Sequence, residues 1–306
     1  MISVKKYEIF GAPFDFAAGT QGDSLAPSYF REHGLSMRIG QRIRNWGAGI
    51  IDSGDVTVNN DVKRLVEEKE ILKAVELYCN CVYDRASNAY NAGHIPVVIG
   101  GDHSIATGTI AAASNYLLQE RQSNNLGVIW VDAHADLSDR TRGNIHGKVA
   151  ASILGISAHN ELNNLGGKFP KVKPENIIFI GIADLMPNEN AILRAHDIEV
   201  YGIDKIQCEG INTILTKAIT KLETTSDAIY LSFDIDACDG GVYRGCATPE
   251  IGGLSGREAI EVAYRIGQSE KFIGADIVEF NPNDDIFKNT DQLVVKLIDA
   301  VLGYRI

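Results

Sequence analysis

The sequence predicts an α/β fold in which helices cover both faces of a mostly parallel sheet of about eight strands. Three observations predict it. Short apolar runs recur along the 306-residue chain, stretches with helical spacing separate them, and acidic or imidazole side chains directly follow several of the runs. Strands that are buried on both faces read as continuous apolar runs, and their alternation with helices is typical of parallel sheets.

The strand candidates are short runs rich in β-branched and aromatic residues: 7–10, 49–52, 95–100, 127–132, 176–182, 198–203, 228–236 and 272–280. Between them, apolar residues recur at helical spacing in 61–92, 104–120, 188–196, 210–223, 255–268 and 290–303. No Pro/Gly/Ser-rich linker, repeat or low-complexity segment divides the chain. We therefore expect a single domain over residues 1–306.

The composition, 45% hydrophobic and 23% charged, is that of a soluble globular protein. The net charge of −11 and the lack of a dense Lys/Arg block argue against nucleic-acid and anionic-membrane partners and favour a small-molecule partner. Five scattered cysteines do not form a disulfide framework, so we expect a reducing compartment. Neither a signal-peptide core nor an apolar run of roughly 18 residues is present, which predicts an unprocessed, cytoplasmic protein.

Three motifs at predicted strand ends carry metal-ligand residues: GGDHS (100–104), DAHAD (132–136) and SFDID (232–236). In the second and third motifs these residues are spaced by two, which places them on one side of an extended chain. Carboxylates held together there repel one another and are costly to bury without a cation. A single D-x-D is also common as a solvated loop or helix cap, but three such motifs at three strand ends favour a metal site. The candidate ligands are His103, Asp132, His134, Asp136, Asp234 and Asp236.

These candidates comprise four carboxylates and two neutral imidazoles, so two divalent cations would balance their charge. An oxygen-rich site with some imidazole and no thiolate suits Mn²⁺ better than structural zinc, although Fe, Co or Ni would also fit. Two such ions would activate a water molecule for attack on a substrate.

GGDHS, DAHAD and SFDID, in this order and spacing, resemble the three motifs of the ureohydrolase family, which includes arginase, agmatinase and formimidoylglutamase. Residues 11–35, 247–258 and 276–282 resemble further arginase segments, so the resemblance covers essentially the whole chain. It implies a three-layer α/β/α domain with a central eight-stranded parallel sheet, and a homo-oligomer that is a trimer or a hexamer. It also implies two Mn²⁺ per subunit. One would be bound by His103, Asp132, Asp136 and Asp234, and the other by Asp132, His134, Asp234 and Asp236.

Catalytic roles follow from the same resemblance. Glu279 would contact a substrate guanidinium, and Thr248 would line the same pocket. Asp136, a metal ligand able to receive a proton, would pass it to the leaving amine, and His146 would move protons between the site and solvent. Two alternative interpretations stay open: His146 as a loop residue that caps the following helix, and Glu279 as a structural acid after a strand.

Two segments that would choose the substrate depart from the arginase pattern. In the loop after DAHAD, which also contains Asn144, Ser138 and Arg142 stand where arginases have an Asn and a Ser that grip the substrate carboxylate. In 181–189, Asp184 is kept, but Met186 replaces the Asp that meets the α-amino group, and a thioether is a poor acceptor for an ammonium.

Charge in the same loop bears on the substrate. Arg140 or Arg142 would bind a carboxylate bidentately, or either arginine is a solvated loop charge. The residues we expect to contact the substrate are Ser138, Arg142, Asn144, Asp184, Thr248 and Glu279.

The leading hypothesis is a manganese-dependent ureohydrolase of the arginase type that converts L-arginine and water to L-ornithine and urea. A first alternative is another amidinohydrolase of the family, acting on a guanidino acid, agmatine or N-formimidoyl-L-glutamate. A second is a non-catalytic arginase-like binding protein, against which the six intact ligand positions speak. A deacetylase on a related fold is disfavoured because the aspartates of DAHAD and SFDID are duplicated.

Overall fold

A computed structural model of the protein describes residues 5–35, 37–38, 41, 49–138, 140–167 and 170–304. Its centre is one eight-stranded sheet in which every pair of neighbouring strands is parallel. The strands are β1 Lys6–Ala12, β2 Gly49–Asp55, β3 Ile95–Gly100, β4 Leu126–Val131, β5 Ile177–Ile180, β6 Glu199–Tyr201, β7 Ala228–Asp234 and β8 Phe272–Val278. All eight predicted strands are confirmed, and the sheet is wholly rather than mostly parallel.

The helices in the described part of the chain are α1 Ala26–Glu32, α2 Asn60–Glu67, α3 Ile71–Asn91, α4 Ala106–Arg121, α5 Val149–Leu154, α6 Asn160–Asn163, α7 Pro187–Ala195, α8 Ile203–Glu209, α9 Ile211–Thr225, α10 Gly256–Gly267 and α11 Thr290–Val301. The helix predicted over 61–92 is two helices, because Lys69 adopts a left-handed backbone, φ 61°, between α2 and α3. The short helices α1, α5, α6 and α8 were not predicted, since so few turns show no clear apolar period. No helix among the described residues has both the length and the apolar character to span a membrane.

Alternating residues of the central strands pack on opposite faces of the sheet. On β4, Val128 and Trp130 belong to a core that contains residues of α3 and α4. Ile129 and Val131, on the other face, belong to a second core that contains residues of α9, α10 and α11. Two cores separated by one sheet make three layers, so the α/β/α prediction is confirmed.

The strand order places the functional motifs side by side. The sheet runs β2-β1-β3-β8-β7-β4-β5-β6, so the four strands that precede the predicted site residues, β3, β8, β7 and β4, are neighbours at its centre. Because all strands are parallel, their carboxyl ends lie at one edge, where ligand sites of such sheets form. The fold therefore brings together residues that are far apart in sequence. His103 and Glu279, which are 176 positions apart, are in contact: the Glu279 carboxylate accepts a 2.7 Å hydrogen bond from the His103 backbone N–H.

Candidate metal centre and active site

His103, in the turn after β3, faces three carboxylates. Its Nδ1 atom lies 3.2 Å from Asp132 Oδ2, 3.3 Å from Asp136 Oδ2 and 3.2 Å from Asp234 Oδ2. The side chains are almost fully buried, yet Nδ1 makes no well-aligned hydrogen bond among the described residues. A nitrogen ringed by carboxylate oxygens at these distances is the arrangement that surrounds a cation.

The second imidazole lies on the other side of Asp132. His134 Nδ1 is 3.0 Å from Asp236 Oδ2 and 3.6 Å from Asp132 Oδ1. Asp132 therefore turns one carboxylate oxygen to each histidine. The ligand atoms of His103, Asp132 and Asp136 lie within 4.8 Å of one another, and so do those of Asp132, His134 and Asp236. The described residues thus offer two adjoining cation sites that share Asp132.

Electrostatics explain why cations fit here. Burial, together with the charges of Asp132 and Asp236, raises the pKa of the Asp234 carboxyl well above its usual range, and burial and Asp132 do the same for Asp136. Burial alone would lower the pKa of His103, but its close contact with Asp132 and the charges of Asp136, Asp132 and Asp276 raise it to about 9. Without metal, the cluster therefore holds protons on its imidazoles to balance its acids. Divalent cations would take the place of those protons.

Backbone strain marks two of the predicted catalytic residues. Asp136 has φ 50° and Glu279 has φ 64°, a left-handed conformation that costs energy for residues other than glycine. The backbone carbonyl of Asp136 accepts a hydrogen bond from Ala151 N–H, and the Glu279 N–H donates to Gly101 O at 2.8 Å. These bonds hold the strained turns, which direct both side chains into the site instead of along the strand.

Glu279 joins the metal-ligand cluster to His146. Its Oε1 atom accepts hydrogen bonds from the backbone N–H of His103 at 2.7 Å and from His146 Nδ1 at 3.0 Å. Burial would lower the pKa of His146, but the hydrogen bond and charge of Glu279 outweigh it and raise that pKa to about 10. Burial raises the pKa of Glu279, and the contacts with His146 reverse this, so that the pKa falls below its ordinary value. The pair is accordingly an ion pair at neutral pH.

A cavity of about 430 Å³ opens above the cluster. Its buried end, the acidic floor, is formed by Asp132, His134, Asp136, Asp234, Asp236 and Glu279. The rest of its side-chain lining, the mouth, includes Ser138, Arg142, Asn144, Lys148, Met186 and Thr248. Thr248 joins the two parts, because its Oγ1 donates to Asp236 Oδ2 at 2.9 Å. Five of the six predicted substrate contacts line this cavity. The sixth, Asp184, is exposed and is not among the lining residues. His103 lies beneath the floor.

Comparison with known proteins agrees with this geometry. The Arginase family model matches residues 5–303. The chain belongs to the arginase family. An arginase from Brevibacillus brevis is 34% identical over 310 residues, with 99% of both chains covered. An arginase from Bacillus subtilis (strain 168) is 32% identical over 308 residues, again with 99% of both covered. The crystal structure of arginase from Bacillus subtilis superimposes with a TM-score of 0.87 at 31% identity, covering 99% of this chain and 100% of that one.

Two lining residues of this arginase-family member were missed in the sequence. Lys148 is 1% exposed, and its Nζ donates to Gly143 O at 2.9 Å, which closes the loop that carries Asn144 and His146. Glu189 accepts from the N–H groups of Leu137 and Met186, both at 3.1 Å, and so ties the mouth to the start of α7. The spacing of Glu189, three residues after Met186 at a Pro-initiated helix, was the available signal for this cap. No feature of the sequence indicated that the Lys148 side chain is buried.

Proposed function

We propose that the protein hydrolyses L-arginine to L-ornithine and urea with two divalent cations, Mn²⁺ foremost, bound at the acidic floor. The observation that carries the proposal is the charge of the cavity lining, which combines the six acidic or imidazole residues of the floor with two cationic side chains, the exposed Arg142 and the buried Lys148. Arginine has the matching polarity, a guanidinium at one end and a carboxylate at the other. Membership of the arginase family and the arginase names of the similar proteins support the same activity.

The residues present fit two cations. His103, Asp132, Asp136 and Asp234, which lie together, would hold one. Asp132, His134 and Asp236, which also lie together, would hold the other, with Asp234 as the further ligand that the family resemblance implies. When bound, the cations supply Lewis acidity that lowers the pKa of a water molecule toward neutrality and so provide a nucleophile. The second oxygens of the aspartates are engaged by the protein: His134 N–H donates to Asp132 Oδ1, and Asp236 N–H donates to Asp234 Oδ1. Such outer hydrogen bonds fix the carboxylates before a cation arrives.

Glu279 would hold and orient the guanidinium. Both of its hydrogen bonds are made by Oε1, and within the described part of the chain no hydrogen bond engages Oε2. A buried, ionised carboxylate oxygen with an open position is suited to a charge-assisted hydrogen bond from a planar cation. Held in this way, the guanidinium carbon is kept close to the attacking water, which lowers the entropic cost of the reaction.

Proton movement falls to Asp136 and His146. The amine leaves well only when it is protonated, and Asp136, a carboxylate at the cation site that faces the cavity, would take the proton of the water and deliver it to the amine. His146 contacts Glu279 on one side, and its side chain is 20% exposed, so it links the site to solvent. We assign it the exchange of protons between turnovers.

Substrate choice would lie at the mouth. Arg142 and Lys148 suit the α-carboxylate of arginine, whereas Met186, 50% exposed, offers no acceptor for the α-ammonium. A cation-lined mouth disfavours agmatine, which lacks a carboxylate. L-Arginine and the other guanidino acids all present the same guanidinium group to the floor. The contacts at the mouth would therefore decide between these substrates.

The test is a product screen with Mn²⁺ over L-arginine, agmatine, guanidinobutyrate, guanidinopropionate and N-formimidoyl-L-glutamate. We expect the highest kcat/KM with L-arginine, and ornithine formed in equal amount to urea. Urea accompanied by another amine, or formamide with glutamate, would instead support the first alternative. No product from any substrate, in protein whose bound metal has been measured, would support a non-catalytic role.

The proposal also includes expectations about metal content, oligomeric state, domain number and location in the cell. We expect two Mn²⁺ per subunit by elemental analysis after equilibrium dialysis, with Fe, Co and Ni as competitors. We expect a trimer or a hexamer by light scattering, one cooperative unfolding transition for a single domain, and a cytoplasmic location by fractionation.

A further inference from the structure

We propose that Asp276, a buried acid beneath the active site, acts through Ser232 to fix the orientation and the proton position of His103, so that His103 Nδ1 faces the cation. Asp276 is thus a positioning residue. The inference rests on the proposed cation site at His103.

The contact chain runs through the centre of the sheet. His103 Nε2 lies 2.9 Å from Ser232 Oγ, which lies 2.5 Å from Asp276 Oδ1. Ser232 and Asp276 are register partners on β7 and β8. The other oxygen of Asp276 accepts from Thr109 Oγ1 at 2.7 Å and from Tyr230 OH at 3.1 Å. His103, Ser232, Thr109, Tyr230 and Asp276 are all buried, so water does not compete for these bonds.

The proposal gives these hydrogen bonds a direction. A serine hydroxyl has one hydrogen, and Asp276 offers acceptor oxygens to the hydroxyls around it. If Ser232 donates its hydrogen to Asp276, its oxygen must accept one from His103, so Nε2 carries the proton. The lone pair of Nδ1 then faces the carboxylates of Asp132, Asp136 and Asp234, where the cation would lie. This series of hydrogen bonds requires an acceptor oxygen at position 276 and does not require a negative charge there.

Stacking on Trp130 restricts the plane of the imidazole. The Trp130 ring lies 4.1 Å from the His103 ring at an interplanar angle of 11°, and its Nε1 donates to Asp132 Oδ2 at 2.9 Å. Rotation about χ2 by half a turn would carry Nδ1 away from the carboxylates. Trp130 restricts the plane of the ring, while Ser232 selects which edge faces the cation.

Burying an acidic side chain at position 276 costs folding free energy. A fully buried carboxyl loses its hydration, and the neighbouring hydroxyls offset that loss only in part. The hydrogen bond from Ser232 gives the Asp276 carboxyl a function, the positioning of His103, that packing alone does not explain.

The test compares D276L and S232A, which break the chain, with D276N, which keeps an acceptor oxygen. T109V and Y230F are matched controls, because each removes one hydrogen bond to Asp276 and leaves the contacts of Ser232 intact. The measurements are the two Mn²⁺ dissociation constants from calorimetry, the thermal midpoint of the metal-free protein, and the visible spectrum of the Co²⁺ form.

We expect D276L and S232A to weaken one Mn²⁺ by about 10- to 100-fold and to alter the Co²⁺ spectrum, with the second ion little affected. D276N, T109V and Y230F should bind both ions nearly as the wild type does. The inference is overturned if D276L and S232A bind like the two controls, or if affinity follows the thermal midpoint in all five variants. Should D276L fail to fold, S232A, which removes one oxygen atom, decides alone. Urea release by the wild type tests the proposed function separately, because Mn²⁺ binding is measured without substrate.

Discussion

The acidic floor and the mouth of the cavity are built in different ways. The floor residues follow the central strands within a few positions and, apart from the part-buried His134, are buried. The carboxylates of Asp132, Asp234, Asp236 and Glu279 accept hydrogen bonds from backbone N–H groups. Four of the six mouth residues lie on the loop between β4 and α5, where Arg142 and Asn144 are exposed. That loop is held by contacts such as Ser138 N–H to Gly147 O at 3.2 Å. The sheet therefore fixes the chemistry, and the loop is able to change the substrate without disturbing it.

The largest effect should come from breaking the floor at its shared ligand. D132N removes the charge that faces both imidazoles. We expect loss of kcat/KM well beyond the roughly 100-fold typical of an outer hydrogen bond, with fewer than two Mn²⁺ bound. Elemental analysis and urea release measure the two effects. D61N, on the exposed side of α2, is the control and should retain both. Two ions bound by D132N would contradict the role of Asp132 as a bridge.

A second variant separates substrate orientation from metal binding within the floor. E279Q keeps an oxygen for the His103 and His146 hydrogen bonds but removes the negative charge. We expect kcat/KM for arginine to fall by about 10²- to 10³-fold, as when one stabilising group is removed. Calorimetric Mn²⁺ affinities should be unchanged. Weakened metal binding in E279Q, at full protein stability, would show that Glu279 serves the cations instead.

At the mouth the effect should be smaller and confined to KM. R142M removes the exposed cation that we assign to the substrate carboxylate. Loss of a hydrogen bond to a charged group costs about 1.5–3 kcal/mol, which corresponds to a KM for arginine raised roughly 10- to 150-fold at similar kcat. The KM for agmatine should not rise. The same measurement on R140M decides which of the two loop arginines binds the substrate carboxylate. An equal rise in the KM for agmatine would rule out carboxylate recognition.

The smallest predicted effect is a gain. M186D places an acceptor at the mouth, where the α-ammonium of arginine would lie. Because this position is half exposed, the new ion pair should be worth about 0.2–1 kcal/mol, a decrease of KM of up to roughly fivefold. M186N, without the charge, is the matched control. Steady-state kinetics at low ionic strength would detect the change, and a higher KM in M186D than in M186N would place the ammonium elsewhere.

The floor could be predicted from the sequence and much of the mouth could not, for physical reasons. Asp132 and Asp234 lie at or directly after apolar strands, so their meeting place followed from the parallel order. The left-handed turns at Asp136 and Glu279 left no trace in a pattern of hydrophobicity. Lys148 and Asp276 look like ordinary charged residues in apolar surroundings, and their partners are set by packing between distant elements. Pattern reading finds ligands beside strands but not the contacts that hold them.

A crystal structure with Mn²⁺ and L-ornithine, measured with anomalous scattering, tests the division between floor and mouth most directly. We predict two manganese peaks, one beside His103 Nδ1 and one beside His134 Nδ1, with the ornithine carboxylate facing Arg142 and Lys148. A single peak, peaks outside the acidic floor, or a carboxylate turned toward that floor would contradict it.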